Sequence, residues 1–234
     1  MQTTYGVRKE SRMDFNTGTG GTGSSGEPPP RSGGPSPGPS RSAAAIEFNL
    51  QDPVQSFIAT VQAVVLRPVD FFRGILRQGD LVNPLIFAII CYEVSAILGG
   101  LLSLVGFSGS RGFGAFIISI ILAPIFAAIG LFIGAGILHL LVMVIVGSRN
   151  SGFEATFRVG AYSAVTSLVS WIPFIGAILS LYGVYLAIVG IREMHNTTTG
   201  KAALVVLIPA AVVLLIVLLL VAVIGAVIFG AMNQ

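Results

Sequence analysis

The sequence predicts an all-α fold: a five-span transmembrane helical bundle with amphipathic inner-face helices and a disordered N-terminal tail. Three observations carry that prediction. Of the 234 residues, 54% are hydrophobic and only 10% charged, against about a quarter charged in soluble chains. The charges are unevenly placed, with fifteen in residues 1–83 and eight in residues 84–234. That second part also divides into five apolar runs whose lengths suit membrane spans. A soluble enzyme and a secreted disulfide scaffold are thereby excluded. So is a nucleic-acid module, because a net charge of +3 is too small and too dispersed for a basic footprint.

Residues 1–51 read as a disordered cytosolic tail. Gly, Ser, Thr and Pro dominate its first 45 positions, so it has little apolar surface to offset its ordering entropy. It holds no signal-peptide core, which leaves membrane insertion to the internal spans. Its prolines from Pro28 to Pro39 have no repeated P-x-x-P register and read as a linker.

Residues 52–83 read as two amphipathic helices. Asp52 is placed as an N-cap side chain with Pro53 at the first helical position. Val54, Phe57, Ile58, Val61 and Val65 then recur at helical spacing. After Pro68, a second piece carries Val69, Phe72, Ile75 and Leu76. Neither is long enough to span. With Arg67, Arg73 and Arg77 beside them, these helices suit the headgroup zone of an anionic leaflet. Docking on the bundle itself is the other arrangement that their apolar faces allow.

The transmembrane domain, 84–234, has spans at about 85–107, 113–146, 155–172, 174–191 and 202–231. The first is interrupted only by Glu93. The second would be about 51 Å long as a straight helix, so it must tilt, bend at Pro124 or emerge from the bilayer. Spans three and four meet at Trp171-Ile172-Pro173-Phe174, a turn with an interfacial aromatic. They could both cross or form a re-entrant hairpin. Pro209 is placed to bend the start of the fifth. The single cysteine, Cys91, reads as a small core residue.

Orientation follows from the basic residues, which stay on the cytoplasmic side of short flanks. With the N-terminus inside, that side holds Arg67, Arg73, Arg77, Arg149, Arg158, Arg192 and Lys201, and the outer side holds only Arg111. The expected placement is a bacterial inner (cell) membrane, N-terminus cytoplasmic and C-terminus outside. The Asn196-Thr197-Thr198 sequon is then cytoplasmic, where glycosylation does not occur.

Polar residues at membrane depth are the candidate site, because ionisable groups there are costly. Glu93 and His139 lie about 12–13 Å from the inner ends of their spans, with Tyr162 and Tyr182 at comparable depth. These four could form one cluster. It would act as a proton- or ion-responsive site, or as a hydrogen-bond clamp between spans. Small-residue pairs (Gly130 with Gly134, Gly160 with Ala164, Gly183 with Ala187) would let helices approach closely, within the chain or in a homo-oligomer.

Enzyme motifs are missing: there is no HExxH, no phosphate loop and no G-x-G-x-x-G after a strand. Gly106-Phe107-Ser108-Gly109 has the look of an intramembrane serine protease motif. Its serine, however, is far from His139 along the helix, and a nucleophile needs its base within hydrogen-bond reach. No catalytic residue, cofactor or metal is expected.

Several stretches are similar to a known family. They are Arg67-Pro68-Val69-Asp70-Phe71-Phe72-Arg73 leading into NPLIFAIICYE, then FEATFRVGAYSAV, WIPFIGAILSLYGVYLAIVGIREMH and TGKAALVVLIP. Together they resemble the bacterial branch of the Yip (Ypt-interacting protein) domain family over about residues 55–230. The resemblance implies a five-span helical membrane protein with a cytosolic N-terminus. Eukaryotic relatives are adaptors in vesicle traffic that bind prenylated Rab GTPases through a tail motif of the Asp-Leu-Tyr-Gly type. This tail lacks that motif, so Rab binding does not carry over.

The expected function is that of a non-enzymatic multi-pass membrane protein that organises other membrane proteins or lipids. Its contacts would be made by the inner-face basic residues Arg67, Arg73, Arg77, Arg149, Arg158, Arg192 and Lys201. The alternative is a small-solute or ion transporter using Glu93 and His139. Its expected partners are membrane lipids and other membrane proteins, with no nucleic acid.

Overall fold

A computed structural model describes residues 47–106 and 112–232. The chain divides into residues 1–38 and 39–234, and all described residues lie in the second unit. The predicted tail up to residue 46, Arg111 and the Phe107-Ser108-Gly109 part of the serine motif lie outside the described residues.

The described residues form helices and contain no strand. In order they are α1 (Pro53–Leu66), α2 (Pro68–Gly74), α3 (Val82–Leu104), α4 (Phe113–Ile145), α5 (Phe153–Ser163), a 3₁₀ helix (Ala164–Val169), α6 (Ile175–Met194) and α7 (Thr199–Met232). Proline opens both α1 and α2, where its missing N–H costs no helix bond. The Asp52 carboxylate makes no capping bond, contrary to expectation. Instead Ser56 Oγ donates to Asp52 O at 2.6 Å, and Asn49 N–H donates to Ser56 Oγ at 3.0 Å.

Four helices, α3, α4, α6 and α7, are long and apolar enough to cross a membrane. The third predicted span, 155–172, is not among them. It is an eleven-residue α-helix continued by six residues of 3₁₀. The tightening has a local cause in the hydroxyls of the run, which bond back to carbonyls three residues earlier. Thr166 donates to Ser163 O, Ser167 to Ala164 O and Ser170 to Ser167 O, at 3.1, 2.7 and 2.8 Å. Such bonds compete with regular helix geometry. A sharp turn follows, with Phe174 in the left-handed region at φ 65. α6 starts directly against that turn: a Cβ on Gly176 would lie 2.5 Å from Ser170 O.

Ser151, just before α5, donates through Oγ to Met194 O at the end of α6 at 2.6 Å. The two arms therefore form an antiparallel hairpin whose ends lie at the same side of the bundle. α4 and α7 run unbroken through Pro124 and Pro209. Both present mostly exposed apolar side chains, and every described residue of α7 from Ala210 onward is exposed, the surface expected of a helix solvated by lipid.

The core gathers where α1, α2, α3 and α5 meet. Phe87 on α3 packs against Phe48, Phe57 and Tyr162 at ring-centroid distances of 5.9, 5.2 and 5.2 Å. Phe71 on α2 stacks edge-on against Tyr162 at 5.0 Å. Tyr182 on α6 donates to Val65 O at 2.6 Å, which ties α1 to the hairpin. The amphipathic helices thus dock on the bundle, while Val54, Ile58, Leu66 and Leu76 stay exposed. Residues 47–51, which the sequence assigns to the tail, take part as well, and Phe48 is fully buried.

α2 and α5 close on α6 at Gly190, where a Cβ would lie 2.6 Å from Val159 Cγ1 and 3.2 Å from Phe72 Cζ. Both neighbours are completely buried and cannot give way. Gly190→Ala is therefore expected to destabilise the protein by about 1–3 kcal/mol, measured by thermal unfolding in detergent. Gly134→Ala, whose Cβ would meet nothing within 4 Å, is the control and should be neutral or slightly stabilising.

Candidate functional site

α5 is short and unusually polar for the centre of a membrane protein. Glu154, Arg158 and Tyr162 recur at four-residue spacing and share one face, while Thr156 lies about 200° round the helix from Arg158. Residues Ala155 to Val159 are all buried, so both faces must find polar partners inside the protein.

The first face meets the residues leading into α1 and the loop before α3. Arg158, 2% exposed, forms an ion pair with Glu47 through Nη1. Its Nη2 donates to Asp80 O at 2.6 Å, and the Tyr162 hydroxyl donates to Glu47 Oε1 at 2.7 Å. Glu154 Oε2 accepts the Gly79 N–H at 2.6 Å. The Asp80 carboxylate faces the other way and accepts from Val82 and Asn83 N–H at the start of α3, at 2.8 and 3.2 Å.

The opposite face builds a His–Thr–His chain. Thr156 Oγ1 lies 3.0 Å from His139 Nδ1 on α4 and 3.0 Å from His195 Nε2 after α6. The Ser151 N–H, which can only donate, reaches His195 Nδ1 at 3.1 Å. Neutral His195 must then carry its proton on Nε2 and donate to Thr156. Burial, with His139 and Arg77 nearby, lowers the His195 pKa from its ordinary 6.5 to about 4.

A third group sits on the surface of the same end. Glu193 pairs with Arg73 at 3.1 Å and Arg192 at 2.7 Å. Arg77 donates to Glu193 O and Asn196 Oδ1 at 3.2 and 2.8 Å. Arg67, Arg149 and Lys201 are exposed.

The four residues of the predicted intramembrane cluster fall into different surroundings. His139 bonds Thr156, Tyr162 bonds Glu47, and Tyr182 bonds Val65. Glu93 has a buried Oε2 with no hydrogen-bond partner among the described residues. Of the seven inner-face basic residues, Arg158 is internal, Arg73 and Arg77 tie α2 and the segment after it to the end of α6, Arg192 bonds Glu193 and Thr199, and Arg67, Arg149 and Lys201 are exposed. Sequence reasoning missed Glu47, Thr156 and His195. Glu47 sits beside a low-complexity tail. The signal for His195 was that it is one of only two histidines in the chain. Among the described residues, no group of three or more His, Cys, Asp or Glu could hold a metal ion.

The His195 environment implies a pH dependence whose sign is fixed. An unfolded chain protonates His195 near pH 6.5, whereas the folded protein keeps it neutral until about pH 4. Between those values the unfolded state binds more protons, so stability falls as pH drops through this window and levels off below it. The contribution is about 3 kcal/mol at most. The melting temperature in detergent should fall between pH 7 and 4 for the wild type and fall measurably less for His195→Asn. Equal slopes would remove His195 from this role.

A family model described as the Yip1 domain matches residues 63–229, a stretch that runs from within α1 almost to the end of α7. Comparisons with curated proteins and with solved structures find no match. The match takes in both polar faces of α5, the docked α2 and all four helices able to cross a bilayer. The protein is thus an integral membrane protein belonging to the Yip1 domain family, a family of non-enzymatic membrane proteins.

Proposed function

We propose that this protein is a non-enzymatic organiser of other membrane proteins or lipids, acting from the cytoplasmic face of a bacterial inner membrane. The observation that carries this reading is the composition of the docked inner-face surface. α1, α2 and the segment after them expose Val54, Ile58, Leu66 and Leu76 beside the exposed Arg67, and Arg149 after α4 and Lys201 in the first turn of α7 are exposed as well. A mixed apolar and basic surface fits an anionic leaflet or a partner lying along it.

The topology that goes with this reading has five crossing segments, with the N-terminus inside and the C-terminus outside. α5 with its 3₁₀ extension measures about 28 Å, close to the roughly 30 Å hydrocarbon thickness. The hairpin with α6 returns the chain to its starting side, as five crossings require. The basic residues then gather at one end.

A transport reading has one observation in its favour, the unpartnered buried oxygen of Glu93. His139 bonds Thr156 and Glu93 Oε2 bonds nothing among the described residues, which weighs against a relay between them.

Removing 52–78 would expose the core around Phe71 and Phe72, so surface substitutions are the better test. Ile58→Ser combined with Arg67→Glu should keep the unfolding free energy within about 1 kcal/mol of wild type. It should also reduce the partners or anionic lipids recovered in mild-detergent purification from native membranes. Unchanged recovery, together with solute flux in liposomes that Glu93→Gln abolishes, would replace this reading with transport.

A further inference from the structure

Two hollows adjoin at Tyr92 on α3 and Gly160 on α5, and their linings differ in kind. The first, about 320 Å³, lies against α5, the 3₁₀ helix and α6, where Ser163, Thr166, Ser167, Ser170 and Ser180 line it. The second, about 450 Å³, runs along α4 past Phe126, Gly130, Leu131, Gly134 and Leu138. At Gly134 and Leu138 it adjoins an apolar groove of about 540 Å³ between α4 and α7. No charged side chain lines any of the three among the described residues. Each is of a size that holds a small organic group.

The hydroxyls of the first hollow have a definite hydrogen-bonding sense. Thr166, Ser167, Ser170 and Ser180 each donate to the carbonyl three residues back, so what they present to a neighbour is lone pairs. Ser163 Oγ is buried with no hydrogen-bond partner among the described residues, and a buried hydroxyl left unpaired is costly. Such a lining calls for a hydrogen-bond donor. A cation would meet that need but would lie at membrane depth with no counter-charge. The donor is therefore neutral, and a hydroxyl group can bond Ser163 in either direction.

The glycines of α4 bear on what is attached to that hydroxyl. Gly160, Gly176 and Gly183 are held close by packing: a Cβ would lie 3.1 Å from Leu131 Cδ1, 2.5 Å from Ser170 O and 3.0 Å from Thr166 Oγ1 respectively. At Gly130 and Gly134 a Cβ would meet nothing within 4 Å. Packing inside the chain does not call for glycine at these two positions. What they do is keep an apolar groove open beside the hydroxyl-lined hollow.

We propose that the two hollows form one site for a neutral lipid alcohol, an acylglycerol with free hydroxyls. Its head lies among Ser163, Thr166, Ser167 and Ser180, and its chain follows α4 past Gly130 and Gly134. A free polyol would leave the apolar groove empty, and a phospholipid would bring its charge to a lining with nothing to pair it. The site shares no residue with the surface around Ile58 and Arg67, so it goes beyond the organiser reading and does not rest on it.

Photolabelling of the full chain in phosphatidylcholine liposomes tests this, because that host lipid has no hydrogen-bond donor. The probe is a monoacylglycerol with a photoreactive diazirine in its chain, and the control is the same molecule with both hydroxyls capped as methyl ethers. The monoacylglycerol should label α4 between Phe126 and Leu138 several-fold more than the ether does, and excess unlabelled monoacylglycerol should displace it. Ser163→Ala, which breaks no hydrogen bond within the described protein, should lower that labelling several-fold. Gly130→Leu, which fills the groove, should abolish it. Both variants should melt at or above the wild-type temperature.

Equal labelling by the ether overturns the proposal, as does undiminished labelling in either variant once folded. Displacement by glycerol alone would make the occupant a polar solute and also overturns it. The comparison of the two probes on the wild type needs no variant, so a substitution that fails to fold leaves the test standing. Ile58→Ser/Arg67→Glu should label as the wild type does, and the surface reading and the lipid site therefore fail separately.

Discussion

A guanidinium keeps its charge wherever it is placed, and Arg158 is placed in the interior of a membrane protein, on a helix buried on both sides. Uncompensated, that charge would cost several kcal/mol. Much of the surrounding architecture follows from the need to match it. The chain before α1 must come back to the bundle so that Glu47 can reach the guanidinium. The loop before α3 must present the Asp80 carbonyl, and Tyr162 must lie one turn further along α5. Once Glu47 is fixed, Phe48 is carried into the aromatic cluster with Phe57 and Phe87, and α1 is delivered to the surface where Tyr182 holds its last turn.

The same helix serves a second purpose on its other face. Thr156 joins His139 on α4 to His195 beyond α6, so α5 connects the N-terminal entry, the second long helix and the α6–α7 loop. Its polar side chains would be a liability in lipid and are kept from it by packing on both sides. α4 and α7 carry the opposite load, with few buried residues and long exposed apolar surfaces. The division explains how a chain with so few charges can concentrate most of its hydrogen-bonding side chains at one end of the bundle.

The apolar runs and the prolines made most helices legible, and their bounds fell within a few residues of expectation. Segment three is the informative exception. Its hydropathy resembles a span, but its Ser and Thr hydroxyls bond back to the backbone and tighten the helix, which no apolar count registers. The site was legible only in part. Rise per residue orders polar groups along their helices, yet it says nothing of azimuth. Tyr162 turns toward Glu47, Tyr182 toward α1, and His139 toward Thr156. Glu47 itself was hidden because composition judges a segment by its neighbours, and its neighbours are glycine, serine and proline. The family resemblance, read over about residues 55–230, matches the family to which the chain belongs.

The most direct test of this account is a double-mutant cycle on Glu47 and Arg158, with unfolding free energies measured for the wild type, Glu47→Gln, Arg158→Gln and the double variant. Breaking a buried pair from one side costs about 3–5 kcal/mol, because the surviving charge is stranded. The account predicts that each single variant is strongly destabilised and that the double variant loses far less than their sum, by a coupling of about 2 kcal/mol or more. Additive losses would contradict it, for they would mean that Glu47 and Arg158 do not depend on one another and that the inner end is held together by something else.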